Sequence, residues 1–381
     1  MIDFATKRVS TTTPEYAFEI VPHPSPTPAD VRQKKITEPG FGSVFTDHMA
    51  LIHWSEDQGW HGARITARAP FQIDPASSVL HYSQEIFEGM KAYRTEDGRI
   101  LLFRPIANAQ RLIQSAKRLS MPELPTSVFL EAVRNLVRSD HAWIPNGPNS
   151  SLYIRPFMFA NEPFLGVRPA RQYIFCVIAS PVELYFGADK AVSVWLETEY
   201  SRAGPGGTGA AKCGGNYAAS LLAQANAYAQ GCDQVLFLDT IEHKWVEELG
   251  GMNVFFVMDD GQLITPSLSG TILPGITRDS ILILAREMGL DAQEGAYSFA
   301  QLQSDAISGK LREVFACGTA AVVTSIGRFK YQSGEIIIGG GEGGEVTKSL
   351  RRQLVGLQRG EIHDKYQWVE EVSLRSSCSN P

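Results

Sequence analysis

From Val44 to about Ala179, short apolar runs of strand type alternate with stretches of helical periodicity. After Pro105, the residues Leu112, Ile113, Ala116 and Leu119 fall on one helical face. Thr126 stands where it can cap a second helix buried through Phe129, Val133, Leu136 and Val137. Runs at 151–160 and 172–179 read as strands, so the pattern predicts an α+β first domain. Periodicity is interrupted at 180–190 (SPVELYFGADK) and resumes with the strand-like AVSVWLE, which predicts domains at 1–180 and 191–381 joined by a loop at 181–190.

The second half continues with a glycine-rich loop and a helix from about Asn216 to Gln230, ended by Gly231. A strand QVLFLD and a hairpin NVFFVMDDGQLIT turning at Asp260 and Gly261 come next. After Pro274 and Gly275, a helix is expected to bury Ile281, Leu282, Leu284, Ala285 and Met288. The proline-rich first 40 residues read as an arm wrapped over the body, and the glycines of 339–344 as a flexible loop before a last helix.

Composition narrows the classes. With 381 residues, 44% of them apolar and 20% charged, the chain has the make-up of a globular protein of two or three domains. Its net charge of −6 gives no broad basic field for nucleic acid or anionic lipid. The five cysteines (176, 213, 232, 317, 378) show no metal-ligand spacing, so no metal site is expected and a reducing compartment fits. No apolar run approaches the roughly 20 residues of a membrane span, and a cytoplasmic location is expected.

The most unusual segment is GPGGTGAAKCGGN, residues 204–216, with one lysine between glycines just before a helix. A Walker A loop needs Gly-Lys-Ser/Thr, whereas Lys212 lies between Ala211 and Cys213. A dinucleotide fingerprint fails as well, because Lys212 occupies the place of its last glycine. What remains is a lysine whose small neighbours let a flat ligand approach the backbone, a setting for Schiff-base chemistry. Glu248, 36 residues downstream, supplies a carboxylate that can keep a pyridine nitrogen protonated. Thr277 and Thr319 lie in glycine-containing turns, PGIT and CGT, the first capping a helix whose N-terminus can cup a phosphate.

In order along the chain, HYSQEIFEGMKAYR, LFRPIANAQRL, SLYIRPFMFANEPFLGV, GGTGAAKCGGNYAAS, ELGGMN and LPGITR resemble the branched-chain amino acid aminotransferases, fold-type IV pyridoxal phosphate enzymes. The resemblance runs from about Phe41 past Thr319. It implies a two-domain mixed α and β fold, with pyridoxal 5'-phosphate in an interdomain cleft. It also implies reversible transfer of the α-amino group of leucine, isoleucine or valine to 2-oxoglutarate by a ping-pong route.

By the same resemblance, Lys212 is the lysine that holds the cofactor and shuttles the proton between substrate Cα and cofactor C4′. Glu248 partners the pyridine nitrogen, with Glu247 the competing candidate one residue out of register in E-x-G-x-x-N. Tyr217 meets the phenolic oxygen, while Arg111, Ile276, Thr277 and Thr319 meet the phosphate. Phe41, Tyr82, Tyr153 and Tyr217 wall an apolar pocket, the Ala320 amide meets the α-carboxylate, and Arg155 meets the glutamate side chain. Leu165 and Val167 match a loop that reaches a neighbouring subunit's site, which implies a homodimer.

Two departures stand out. Ala321 and Thr324 occupy the places where some animal members have a C-x-x-C pair, and Gly251 stands where those members have threonine. The rival readings are a D-amino acid aminotransferase or aminodeoxychorismate lyase within the same fold, and a non-enzymatic phosphate-binding protein outside it.

Overall fold

The computed structural model describes residues 17–183 and 191–374. They form two compact units, one of 17–183 with 357–374 and the other of 191–356. The strand expected to end at 179 runs on as Gln172–Val182, so the expected connection starts later, and its residues 184–190 lie outside the described residues. The second unit also ends before the expected 381. Val369–Glu371 pairs antiparallel with Ile100–Phe103 and returns the end of the chain to the first unit.

In the first unit, the described strands form a nine-stranded sheet. At its centre, Ser151–Ala160 and Gln172–Val182 pair antiparallel over their length, Ser151 opposite Val182 and Ala160 opposite Tyr173. Gln172–Val182 is buried almost throughout and reads as a near-continuous apolar run, whereas Ser151–Ala160 keeps Tyr153, Arg155 and Phe157 half-buried on one face. Two amphipathic helices, Pro105–Arg118 and Thr126–Ser139, turn apolar stripes inward. Pro105 opens the first helix, where its missing N–H costs nothing, and Leu112 and Ala116 are buried. In the second, Phe129, Val133, Leu136 and Val137 are buried as expected. Thr126 is its first helical residue, so the cap position falls to Pro125 and no side chain caps it.

The described part of the proline-rich arm is fastened to this unit. Glu19–Ile20 pairs in parallel with Arg64 and Ile65, and the Thr27 hydroxyl donates to Asp47 at 2.6 Å.

The second unit is built on another nine-stranded sheet among the described residues, mixed in direction. Val192–Glu197 lies parallel to both Gln234–Leu238 and Val322–Tyr331, while Leu311–Gly318 joins Val322–Tyr331 and Asn253–Met258 antiparallel. The hairpin of Asn253–Met258 and Gln262–Thr265 turns at Gly261, whose φ of +85° suits glycine. The helix Gly214–Ala229 begins two residues earlier than expected and gives way to Gly231 at φ +70°. Ile276–Glu287 buries Ile281, Leu282, Leu284 and Ala285, whereas Met288, just past its end, is 40% exposed.

Within the glycines of 339–344, Gly339–Gly341 form an exposed 3₁₀ turn that leads into the last helix. Gly339, Gly340 and Gly341 all have positive φ, and a Cβ on Gly344 would overlap the Glu313 carboxylate. That carboxylate accepts the Val346 and Thr347 N–H groups and so caps the helix Glu345–Gln358.

Candidate active site

The segment before Lys212 is held rigidly by its own packing. Asn216 is buried and donates to the carbonyls of Thr208 and Ala211, both at 2.8 Å, while the Thr208 hydroxyl donates back to it. A Cβ on Gly209 would stand 2.2 Å from the Thr271 carbonyl oxygen, and one on Gly207 would stand 2.8 Å from that of Gly204. These glycines therefore answer to contacts of the loop with its own surroundings. The sequence had suggested instead that a ligand approached their backbone. Lys212 emerges half-buried immediately before the helix Gly214–Ala229. Its Nζ donates to the Tyr217 hydroxyl at 2.7 Å and lies 5.2 Å from the centre of the Tyr217 ring. The five-residue spacing sets this contact, since both side chains leave the start of one helix.

Beside this pair lies a network around two consecutive carboxylates in the strand Val246–Leu249. Glu248 is 2% exposed; its Oε1 meets Arg202 Nη2 at 2.6 Å and accepts the Leu273 N–H at 2.7 Å. Asn253, the last residue of E-x-G-x-x-N, donates to Glu248 Oε2 at 3.4 Å and to the Leu273 carbonyl at 3.1 Å. Arg202 Nη2 also donates to the carbonyls of Gly209 and Thr271, at 2.8 and 2.7 Å. One buried guanidinium thus ties Glu248 to the loop that carries Lys212.

Burial pushes the Glu248 carboxyl up from its ordinary range, opposed by the charges of Arg202 and Lys212 and by the Leu273 N–H. Glu247 is buried as well and accepts the Thr271 hydroxyl, but its Oε2 has no hydrogen-bond partner among the described residues. Burial again raises its carboxyl, with Thr271 and Arg202 opposing.

The turns named from the sequence border the same place. Gly251 sits where a Cβ would lie 3.4 Å from the Tyr217 ring, and Gly318 packs against Met252 and Gly251. Thr319 and Ala320 follow directly in a turn that ends at Val322, a β-branched residue at φ +61°. Such a conformation costs energy and occurs where a turn must present backbone in one geometry. Gly275 has no room for a Cβ, because the Asn253 side-chain oxygen would lie 2.0 Å from it. Gly275 is also the cap residue of Ile276–Glu287, so Thr277 lies inside the first turn and, contrary to the expectation from sequence, does not cap the helix. The cap residue Gly275 offers no side-chain hydrogen bond to the first-turn amides of that helix. Lys212, Tyr217, Glu248, Ile276, Thr277, Thr319 and Ala320 therefore belong to one neighbourhood of the second unit.

The other predicted residues lie in the first unit and form two groups plus one ion pair. Tyr153 and Arg155 leave the same face of Ser151–Ala160, and Arg155 Nη2 donates to the Tyr153 hydroxyl at 3.1 Å. Phe41 meets the Tyr153 ring edge-on at 5.4 Å, and the Arg155 guanidinium lies 4.7 Å over Phe87. Arg155 Nε is buried with no hydrogen-bond partner among the described residues. Tyr82 is not in this wall. Its hydroxyl donates to the Leu165 carbonyl, beside the exposed Leu165 and Val167, so the structure groups it with the loop expected to serve a neighbouring subunit.

Arg111 is buried, and Glu88 takes its Nε and Nη2 at 2.8 Å each. Sequence reasoning assigned no role to Glu88, Arg202 or Asn253. The available signal was a lone charge in an apolar run, as in IFEGM.

Comparison with known proteins establishes the family. The family model described as amino-transferase class IV matches residues 85–329. A branched-chain-amino-acid aminotransferase of Mycolicibacterium smegmatis is 52% identical over 93% of this chain and 98% of its own length. The branched-chain-amino-acid transaminase 1 of Bacillus subtilis is 48% identical over 87% of this chain and 94% of its own. Among solved structures, the Escherichia coli branched-chain amino acid aminotransferase has a TM-score of 0.69 at 31% identity, covering 85% of this chain and 99% of that one. The branched-chain amino acid aminotransferase of Thermobaculum terrenum, solved in its pyridoxal phosphate form, has a TM-score of 0.69 at 26% identity, covering 84% of this chain and 98% of that one. The chain belongs to the class IV aminotransferases and, within them, to the branched-chain-amino-acid aminotransferase family.

Proposed function

We propose that the protein transfers the α-amino group of leucine, isoleucine or valine reversibly to 2-oxoglutarate, with pyridoxal 5'-phosphate as cofactor. The observation that carries this reading is the Lys212 amine, hydrogen-bonded to Tyr217 at 2.7 Å beside the buried Glu248 carboxylate. The donor set suits the cofactor. Glu248 Oε2 has only a long 3.4 Å bond to Asn253 and keeps acceptor capacity for a ring N–H, and the first turn of Ile276–Glu287 offers uncapped amides to a phosphate. When bound, the cofactor acts as an electron sink for the substrate Cα.

The chain's own groups do the rest. Lys212 attaches the cofactor and moves a proton to and from the substrate Cα. Tyr217, within reach of Lys212, orients the phenolic oxygen. Glu248 holds a proton on the pyridine nitrogen. Arg111, Ile276, Thr277 and Thr319 take the phosphate, and Ala320 takes the α-carboxylate. Phe41 and Tyr153 receive the aliphatic side chain, while Tyr82, Leu165 and Val167 serve the site of a second copy in a homodimer. No helix among the described residues is long and apolar enough to cross a membrane. We place the protein in the cytoplasm on its cysteine usage, five cysteines with neither disulfide-framework nor metal-ligand spacing, which fits a reducing compartment.

A panel of amino donors with 2-oxoglutarate tests the function directly. Turnover confined to branched-chain donors and glutamate is the expected result; turnover of D-amino acids alone would replace this reading. Within the panel, Arg155→Gln tests how one pocket accepts both leucine and glutamate. A glutamate carboxylate against Phe41 and Tyr153 needs a cationic partner, and Arg155 is already bonded to Tyr153. The substitution should raise KM for glutamate and 2-oxoglutarate roughly tenfold, because a hydrogen bond to a charged group is worth about 1.5–3 kcal/mol. Leucine kinetics should change much less, and equal losses for both substrates would assign Arg155 a structural role.

A further inference from the structure

We propose that Glu88 is the positioning residue for Arg111, fixing the guanidinium in the orientation from which it takes the cofactor phosphate. The proposal rests on the reading of Arg111 as a phosphate ligand. Glu88 is fully buried and binds Arg111 side-on through two oxygens. Its carboxylate also accepts Asn108 Nδ2 at 2.8 Å and the Gly89 N–H at 3.3 Å. Four donors therefore converge on two oxygens, and the carboxylate cannot swing without losing several of them. Arg111 and Asn108 lie on the same helix, Pro105–Arg118, three residues apart, so Glu88 clamps one face of that helix at two points.

The backbone explains why Glu88 stands here. Glu85–Phe87 and Met90–Arg94 both pair with Ser151–Ala160 in one continuous register that places Glu88 opposite Pro156 and Gly89 opposite Arg155. Glu88 donates its N–H to the Pro156 carbonyl at 2.7 Å, but proline has no N–H to return, and the ladder is interrupted at this point. The Gly89 carbonyl turns to Asn108 Nδ2 at 3.3 Å. On the opposite face, Gly89 leaves the space that the Tyr153 hydroxyl fills, where a Cβ would lie 2.2 Å away. Alternation along the strand thus sends Glu88 toward the helix of Arg111, and leaves the other face to Tyr153 and Arg155.

A buried ion pair is a poor source of stability, because desolvation offsets its attraction. What it does supply is orientation. Glu88 holds Nε and Nη2 of the fork side-on, which prevents rotation of the guanidinium.

The sign of one measurement separates positioning from charge neutralisation. Full-length apo-protein of the wild type, Glu88→Gln and Arg111→Lys is titrated with pyridoxal phosphate by absorbance, and with inorganic phosphate by protection against thermal unfolding. Glu88→Gln removes a negative charge, which by itself favours an anion, and also removes one of two anchors of the fork. If Glu88 positions Arg111, both ligands bind on the order of tenfold more weakly, while KM for leucine at saturating cofactor stays unchanged. Binding as tight as wild type, or tighter, overturns the proposal and leaves Glu88 as a neutralising charge.

Unchanged affinity in Arg111→Lys would instead refute Arg111 as the phosphate ligand. Weakening in Arg111→Lys alone overturns only the role of Glu88. Should Glu88→Gln fail to fold, Asn108→Ala replaces it, removing a donor that shares Glu88 Oε2 with Arg111 Nη2. Several-fold weaker phosphate binding is then expected, and wild-type affinity overturns the proposal.

Discussion

Lys212→Ala should lower transamination by roughly 10⁴-fold or more while the protein stays folded, since the amine both attaches the cofactor and carries the proton. Folding should survive because the loop does not depend on this side chain. Asn216, Thr208 and Gly209 hold the backbone, and Lys212 contributes a hydrogen bond to Tyr217 from a half-buried position. Three readouts belong together. Wild-type protein with cofactor should be yellow, and borohydride should fix the colour to the peptide that contains Lys212. The variant should take up cofactor that dialysis removes and borohydride does not fix. Its thermal unfolding should stay within about 0.5 kcal/mol of wild type, as for a substitution outside the core. Substantial turnover by the purified variant would refute the assignment of Lys212.

What the sequence made legible follows physical range. Lys212 and Tyr217 lie five residues apart at one helix start, and their contact is almost determined by local structure. The central strand Gln172–Val182 is buried on nearly all its positions and Ser151–Ala160 on all but the face of Tyr153, Arg155 and Phe157, so their apolar runs were plain to read. Arg202 and Glu248 are 46 residues apart, and Glu88 and Arg111 23 apart, with no periodicity to connect them. Such pairs come together only through sheet register and loop packing.

The glycine-rich loop shows a subtler limit. Its small residues were noticed, but Gly209 is small because the Thr271 carbonyl lies against it, a neighbour 62 residues away. Thr126 and Thr277 have the right chemistry for helix caps, yet Pro125 and Gly275 hold the cap positions. A one- or two-residue shift of a helix start is below what composition can fix. The return of Val369–Glu371 to the first unit was hidden because three residues of edge strand carry almost no pattern.

Replacing the two neighbouring carboxylates should give opposite results. Glu248→Gln keeps the shape but loses the charge, and a neutral amide cannot hold a proton on the pyridine nitrogen. Turnover should fall on the order of a hundredfold, as when a preorganised electrostatic partner is removed from an active site. The same change leaves Arg202, which is itself 5% exposed, without its carboxylate. Breaking a buried pair from one side costs about 3–5 kcal/mol, less whatever the Gly209 and Thr271 carbonyls recover, so Glu248→Gln should also melt earlier.

Glu247→Gln should do neither. Its Oε1 can remain an acceptor for Thr271, and the substitution removes a buried charge whose Oε2 has no hydrogen-bond partner among the described residues. Turnover should stay within a few-fold of wild type, and stability should be equal or higher. Because burial raises the Glu247 carboxyl in the folded protein, ionising it opposes folding. That penalty is absent below the ordinary carboxylate range and grows as pH rises through the raised value. The advantage of Glu247→Gln over wild type should therefore be nil near pH 4 and reach its plateau above the raised value. Melting temperatures of both variants between pH 4 and pH 8, measured beside kcat, decide the matter. An activity loss in Glu247→Gln with Glu248→Gln unaffected would move the pyridine partner one residue along the strand.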